Sequence, residues 1–182
     1  MFSFTVDDDI ELRLLEKHHA EELFELVDRN RDHLGRWFPW EAQTREVADT
    51  LQFINGVRQG YADNEAIPTG VWFQGDIAGT LSLFDINWKV GSAEIGYWLG
   101  AGYEGRGIIT RSCQALISYA YEALDLNRIV ICCRPDNTRS SAVAKRLGFT
   151  YEGTLRQVAR HNDKLHDREV YSLLRGERQN RT

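Results

Sequence analysis

An apolar strand that breaks into glycines and restarts as a helix dominates the middle of this chain: Tyr97-Trp98-Leu99-Gly100-Ala101-Gly102-Tyr103-Glu104-Gly105-Arg106-Gly107-Ile108-Ile109-Thr110. This order leaves backbone N–H groups pointing outward at a helix N-terminus, with the positive end of the helix dipole behind them. Such an end is a ready site for a phosphate. What the chain does depends on whose phosphate it receives.

The surrounding sequence reads as mixed α and β without a linker. Strands are expected at Ile10–Leu14, Thr69–Gln74, Ile77–Asn87, Ala93–Leu99, Arg128–Arg134, Tyr151–Val158 and Asp167–Leu174, with a hairpin turn at Gly75-Asp76. Helical spacing predicts helices over His18–Arg29, Thr44–Gly60 (Thr44 as N-cap), Ile108–Leu124 and Ser140–Leu147, the last ended by Gly148. Residues 33–40 read as an aromatic loop. The unbroken Ile129-Val130-Ile131-Cys132-Cys133 predicts a strand buried on both faces. The tail from Gly176 is polar and expected to fray.

A chain of 182 residues, 42% hydrophobic and 27% charged, fits one soluble domain with a sizeable core. Its net charge of −5 and scattered Lys and Arg argue against a nucleic-acid partner. The N-terminus does not read as a secretory signal, and no apolar run approaches the roughly 20 residues that span a bilayer. Three cysteines, Cys113, Cys132 and Cys133, are too few and too oddly placed for a disulfide framework, so a cytoplasmic location is expected. The histidines show no metal-ligand spacing beyond adjacent His18 and His19, which are expected to share an exposed helix face, and no metal is expected.

Two familiar phosphate loops do not fit the glycine turn. A P-loop needs Lys and then Ser or Thr where this chain has Ile108-Ile109, and a dinucleotide fingerprint needs a third glycine where Thr110 stands. A second motif follows the next strand: Asn137-Thr138-Arg139-Ser140-Ser141, ending in Leu147-Gly148-Phe149. Together, the Gly-Tyr-Trp-Leu strand, Glu-Gly-Arg-Gly-Ile-Ile-Thr, and Asn-x-x-Ser closing on Leu-Gly-Phe resemble the GCN5-related N-acetyltransferase (GNAT) superfamily. Within it the chain is similar to the RimJ/RimL-type branch that acetylates the N-termini of ribosomal proteins. Trp37-Phe38-Pro39-Trp40 also resembles that branch.

The resemblance implies a mixed α/β (α+β) GNAT fold. Its central, mostly antiparallel twisted sheet would have about seven strands, flanked by four main helices and splayed at the cofactor site. Residues 1–176 would form a single catalytic domain and 177–182 a polar tail. Acetyl-CoA is implied as the donor. Its pyrophosphate would sit on the amides of Gly105, Arg106, Gly107, Ile108, Ile109 and Thr110, with Arg106 and Arg111 as flanking cations. Its pantetheine arm would add as a strand along Trp98, Leu99 and Gly100, and near Asn137. A backbone N–H near Leu99 would polarise the thioester carbonyl. The family motif has Gln or Arg where this chain has Glu104, and Gly or Ala where it has Ile109; an anion beside a pyrophosphate costs binding energy unless it points away.

Acyl transfer needs a neutral amine. Near pH 7 this costs about 1 kcal/mol for an α-amine and about 4–5 kcal/mol for Lys, so an α-amine acceptor needs only a modest base. Glu94 is the first candidate, its alternative being a solvent-facing strand residue; Glu152 is the second. Ser140 could give the leaving thiolate its proton, although Asn137 and Ser140 also read as plain helix capping. Trp37 and Trp40 could line the acceptor groove or staple two helices. A covalent route through Cys132 or Cys133 is weaker than a reading of them as inert core thiols. The expected reaction is direct transfer, in a ternary complex, to a protein or peptide N-terminus such as that of a ribosomal protein. The alternatives are a small amine acceptor and a non-catalytic coenzyme A-binding module. The resemblance also allows a homodimer.

Overall fold

A computed structural model describes residues 3–179 of the chain. The expectations for Met1 and Phe2 and for residues 180–182 of the polar tail lie outside the described residues. In chain order the elements are β1 (Ser3–Thr5), β2 (Ile10–Leu14), α1 (Ala20–Asp28), α2 (Arg31–Gly35), α3 (Val47–Ala62), β3 (Ile67–Phe73), β4 (Asp76–Asn87), β5 (Ser92–Leu99), α4 (Ile108–Glu122), β6 (Arg128–Cys133), α5 (Thr138–Arg146), β7 (Thr150–His161), β8 (Lys164–Leu174) and α6 (Arg175–Gln179). The strands follow the order β1-β2-β3-β4-β5-β6-β8-β7, a mixed α+β arrangement with eight strands rather than about seven. The additional strand is β1, which pairs antiparallel with β2 from Ser3↔Arg13 to Thr5↔Glu11. Of the helices, α1, α3, α4 and α5 are the four main ones.

The chain divides into two compact units, residues 1–82 with 97–112, and residues 83–96 with 113–182. In the first unit, α1 buries Ala20, Leu23, Leu26 and Val27, the spacing of one helix face. Leu23 and Leu26 join Leu15, Ile54, Trp72 and Ile77 in a core cluster, against which Leu51, Trp98 and Tyr103 pack. Each such large side chain contributes about 1.5–3 kcal/mol by leaving water. Helix α3 starts at Val47, three residues after the expected N-cap. Glu46 is the cap residue, and Asp49 reaches back to the amides of Arg45 (2.7 Å) and Glu46 (3.1 Å) in a capping box. Thr44 instead closes a 3-10 turn (Pro39–Gln43), its hydroxyl donating to the Trp40 carbonyl. That turn and α2 occupy what reads in the sequence as an aromatic loop. The β3–β4 turn centres on Gln74-Gly75, both left-handed as a two-residue hairpin requires, so Asp76 already belongs to β4.

In the second unit, β5 pairs in parallel with β6 from Ser92↔Arg128 to Ile95↔Ile131, while β5 runs on to Leu99 and β6 to Cys133. Strand β6 is not buried on both faces. Ile129, Ile131 and Cys133 are buried, whereas Val130 and Cys132 are half-buried. An unbroken apolar run cannot report which face stays open. Helix α5 ends in two reverse bonds, Phe149 N–H to Ala144 C=O (3.0 Å) and Gly148 N–H to Lys145 C=O (3.1 Å), a Schellman closure around left-handed Gly148. The β7–β8 turn is Asn162-Asp163, and His161 is the buried last residue of β7. Helix α6 covers the first residues of the tail that the sequence suggests would fray.

The backbone of β4 passes close to the end of β5 at Gly79. A Cβ there would stand 2.1 Å from the Trp98 carbonyl oxygen. Gly79→Ala is expected to lower the unfolding free energy by about 1–3 kcal/mol or more, read from urea midpoints.

Candidate functional site

In the first unit, β5 ends at Leu99 and a 3-10 turn over Ala101–Tyr103 leads into Glu104. Gly105 (φ +75) and Gly107 (φ +71) are both left-handed, and α4 begins at Ile108. A Cβ on Gly105 would meet nothing within 4 Å, so the turn borders open space. The Arg111 N–H bonds the Gly107 carbonyl (3.1 Å), so the amides from Gly107 to Ile109 lie ahead of that helical bond. Gly105, Arg106 and Gly107 are exposed, whereas Ile108 and Ile109 are buried. Only the backbone of those two isoleucines is therefore available to a ligand, and Ile109 belongs to the core. This donor set fits an anionic phosphate group.

The charged residues around the turn are already partnered. Arg111 donates to Asp7 (2.5 Å) and to the Arg106 carbonyl (3.3 Å). Burial acts to raise the Asp7 pKa, but the Asp9 amide and Arg111 together hold it below the usual carboxylate value. Arg111 thus braces the turn from within. The Arg106 guanidinium lies 5.6 Å from the Phe73 ring centre. Glu104 faces His33 of α2, with Oε1 3.6 Å from Nε2.

At the end of β5, the Gly100 N–H donates to the Ala78 carbonyl of β4 (2.9 Å). Backbone groups alternate sides along a strand, so the N–H and C=O of Leu99 turn away from β4. Trp98 meets Trp40 (ring centres 5.8 Å apart), and Trp40 stacks on Phe38 (5.4 Å). Trp40 therefore borders the same strand end as the turn, while Trp37 lies under the Arg36 guanidinium (5.0 Å). Of the adjacent histidines, His18 is exposed but His19 is not: it packs on Trp72 (4.8 Å) and accepts the Glu16 N–H at Nδ1 (3.0 Å). Among the described residues no group of three or more His, Cys, Asp or Glu is placed to hold a metal, and no helix is long and apolar enough to cross a membrane.

In the second unit, Glu94 stands on β5 opposite Val130 of β6 and is half-buried. Burial pushes its pKa up; Arg168 and a hydrogen bond with the Cys132 thiol oppose the rise, and Asp85 adds to it. Glu152 has the contrary environment. Arg128 grips it with two bonds (2.6 and 2.5 Å), and Ser172 donates to it as well (2.8 Å). The Arg128 hydrogen bond, foremost, pulls its pKa down to about 2, which leaves it a weak proton acceptor. Glu152 is engaged as the ion-pair partner of Arg128.

Asn137 caps α5, its Oδ1 accepting the Ser140 N–H (3.2 Å), and the Ser140 hydroxyl bonds the Cys133 thiol. Burial pushes Cys132 up to about 12 and Cys133 up to about 11. Burial thus disfavours the thiolate that a covalent route would need. Four neighbours of these sites carry no motif in the sequence: Asn30, His33, Asp85 and Arg168. Asn30 stands just before α2, at its N-cap position, where Asn is a common residue; the other three are placed only by folding.

Residues 9–150 match the family model described as an acetyltransferase (GNAT) domain. The chain is 41% identical over 97% of its length to YdaF of Bacillus subtilis, a protein named provisionally as a ribosomal N-acetyltransferase, and covers 97% of it. It is 32% identical over 93% of its length to the ribosomal-protein-serine acetyltransferase of Escherichia coli, covering 94% of that protein. Among solved structures, RimL, the ribosomal L7/L12 alpha-N-protein acetyltransferase, in complex with coenzyme A superposes with a TM-score of 0.93 at 31% identity, over 97% of this chain and 99% of that one.

The Arg128–Glu152 pair makes a pH-dependent contribution to stability. Because the Glu152 pKa is depressed, that contribution is complete above the ordinary glutamate value of 4.5 and is lost as pH falls toward about 2. Thermal melts of Glu152→Gln are expected to fall below those of the unmodified protein at pH 7, with the gap narrowing at pH 3.

Proposed function

We propose, from the premise that this chain belongs to the GNAT acetyltransferase family, that it transfers acetyl from acetyl-CoA to the α-amine of a protein N-terminus by direct attack in a ternary complex. The family match spans both compact units, which supports reading residues 1–176 as one catalytic domain. The observation that carries the donor assignment is the pair of left-handed glycines, Gly105 and Gly107, opening α4 beside open space. The names of the relatives support a ribosomal-protein acceptor, and a cytoplasmic location is proposed with it. The resemblance also allows a homodimer, which light scattering reads directly.

In this reading the amides of Gly105 to Thr110 hold the pyrophosphate, with Arg106 adding positive charge. Arg111 acts through Asp7 to steady the turn. Leu99, with its backbone directed away from β4, offers an N–H for the thioester carbonyl, and Trp98 to Gly100 offers a strand edge to the pantetheine amides. When bound, acetyl-CoA supplies an activated acetyl group. Glu94 takes the proton of the acceptor ammonium, directly or through water. Its raised pKa brings its basicity closer to that of the α-amine, whereas Glu152 is held ionised. Ser140 donates to the departing sulfur, and Asn137 holds the pantetheine region. Trp40 and Trp37 line the acceptor path.

Replacing Gly107 by Glu puts a carboxylate at the helix N-terminus and adds about 1–2 kcal/mol of left-handed strain. Coenzyme A binding should fall below calorimetric detection while the far-UV circular dichroism spectrum persists; unchanged affinity rejects the phosphate placement. Glu94→Gln should lower kcat by about 10²–10⁴ with coenzyme A affinity within twofold, and a full-rate variant removes Glu94 from the mechanism. Acceptor class is read by comparing N-terminal peptides with spermidine and amino sugars. Turnover with small amines but not peptides rejects the protein acceptor, and binding without turnover of any amine rejects the enzyme reading.

A further inference from the structure

We infer that Glu104 is a positioning residue: joined to His33, it clasps the turn Gly100–Glu104 onto α2 and so sets where the amides of Gly105 to Ile109 stand. The inference rests on the reading of that turn as the coenzyme A site. It concerns the residue at which this chain departs most sharply from its family motif, a carboxylate beside an anion site.

The turn is clasped at two points. At its start, the Ala101 N–H donates to Asn30 Oδ1 (2.9 Å), and Asn30 Nδ2 donates to the Leu26 carbonyl of α1 (2.7 Å). Asn30 is thus oriented from one side and grips from the other. Gly100 lies flush against it: a Cβ there would stand 3.0 Å from Leu26 Cδ1 and 3.2 Å from Asn30 Nδ2. At its end, Glu104 Oε1 lies 3.6 Å from His33 Nε2, with both side chains mostly covered (31% and 26% exposed). Asn30 and His33 are three residues apart at the start of α2, and Ala101 and Glu104 are three apart around a 3-10 turn. Residues at that spacing share a face in both kinds of helix, so the two clasps match in register.

At 3.6 Å the contact is longer than a hydrogen bond: it is an ion pair when the imidazole carries its second proton and a polar packing contact when it does not. A Glu104 left loose would add a negative charge to a site built for phosphate. Held by His33, it anchors the turn from the side instead. Helix α2 leads within a few residues to Phe38 and Trp40, so the element that clasps the turn also carries the aromatic segment against Trp98.

The test is calorimetric titration of the full chain with coenzyme A, paired with acetyl-CoA kinetics. Glu104→Ala should raise Kd about three- to fivefold, in line with a partly exposed ion pair, and His33→Ala, which also frees the carboxylate, about tenfold. The double variant should be no worse than His33→Ala, showing that the two residues act as a unit. Glu104→Gln keeps the side chain's size and packing but loses its charge, and should fall between the unmodified protein and Glu104→Ala. KM for acetyl-CoA should track Kd while kcat moves less than twofold. Tighter or unchanged binding in Glu104→Ala, or effects that multiply in the double variant, overturns the inference and leaves the site reading intact. Failure of the unmodified chain to bind coenzyme A overturns both.

Discussion

The turn between β5 and α4 depends on a backbone conformation that L-residues adopt only at a cost of about 1–2 kcal/mol each. Gly105 and Gly107 both take it, which lets the chain pass from an extended strand to a helix within a few residues. Much else in the first unit follows from where that helix starts. Ile108 and Ile109 drop into the core in its first turn, and Arg111, one turn on, reaches Asp7. Before the turn, Gly100 is close enough to Asn30 for the neighbouring amide to be held by a side chain. The same conformation leaves helix-opening amides beside open space.

Charge is distributed with evident purpose in a chain whose net charge is −5. Asp7, Glu104 and Glu152 each face a basic partner: Arg111, His33 and Arg128. Beside the glycine turn, Asp7 is paired with Arg111 and Glu104 faces His33, so neither carboxylate stands alone there. Glu94 differs in kind. It is held up in pKa by burial and touches a thiol, while Arg168 and Asp85 act on it in opposite senses. Two glutamates on strands of one unit are thus driven apart in basicity, and that separation distinguishes a candidate base from a structural pair.

Much of this was legible in the residues. The strand–glycine–helix order and the Asn137 cap of α5 rest on short-range chemistry that any fold containing them must obey. Less legible were features set by distant partners. Arg111 reads as a phosphate ligand because it flanks the turn, yet Asp7, more than a hundred positions away, occupies it. Thr44 reads as a helix cap until Glu46 and Asp49 form a better one. His19 reads as exposed beside His18, but a 3-10 turn sends it against Trp72.

The sequence by itself determined the order of strands and helices and the place of the glycine turn, because periodicity, glycine placement and capping act over a few residues, and its motifs carried the family resemblance. Tertiary structure alone decided which charges are available. Whether Glu94 or Glu152 can accept a proton, whether Arg111 is free, and whether Glu104 opposes or supports the turn all depend on what is brought to within about 4 Å, where Coulomb and desolvation effects become large enough to choose between them. Spacing along the chain carries no record of those distances.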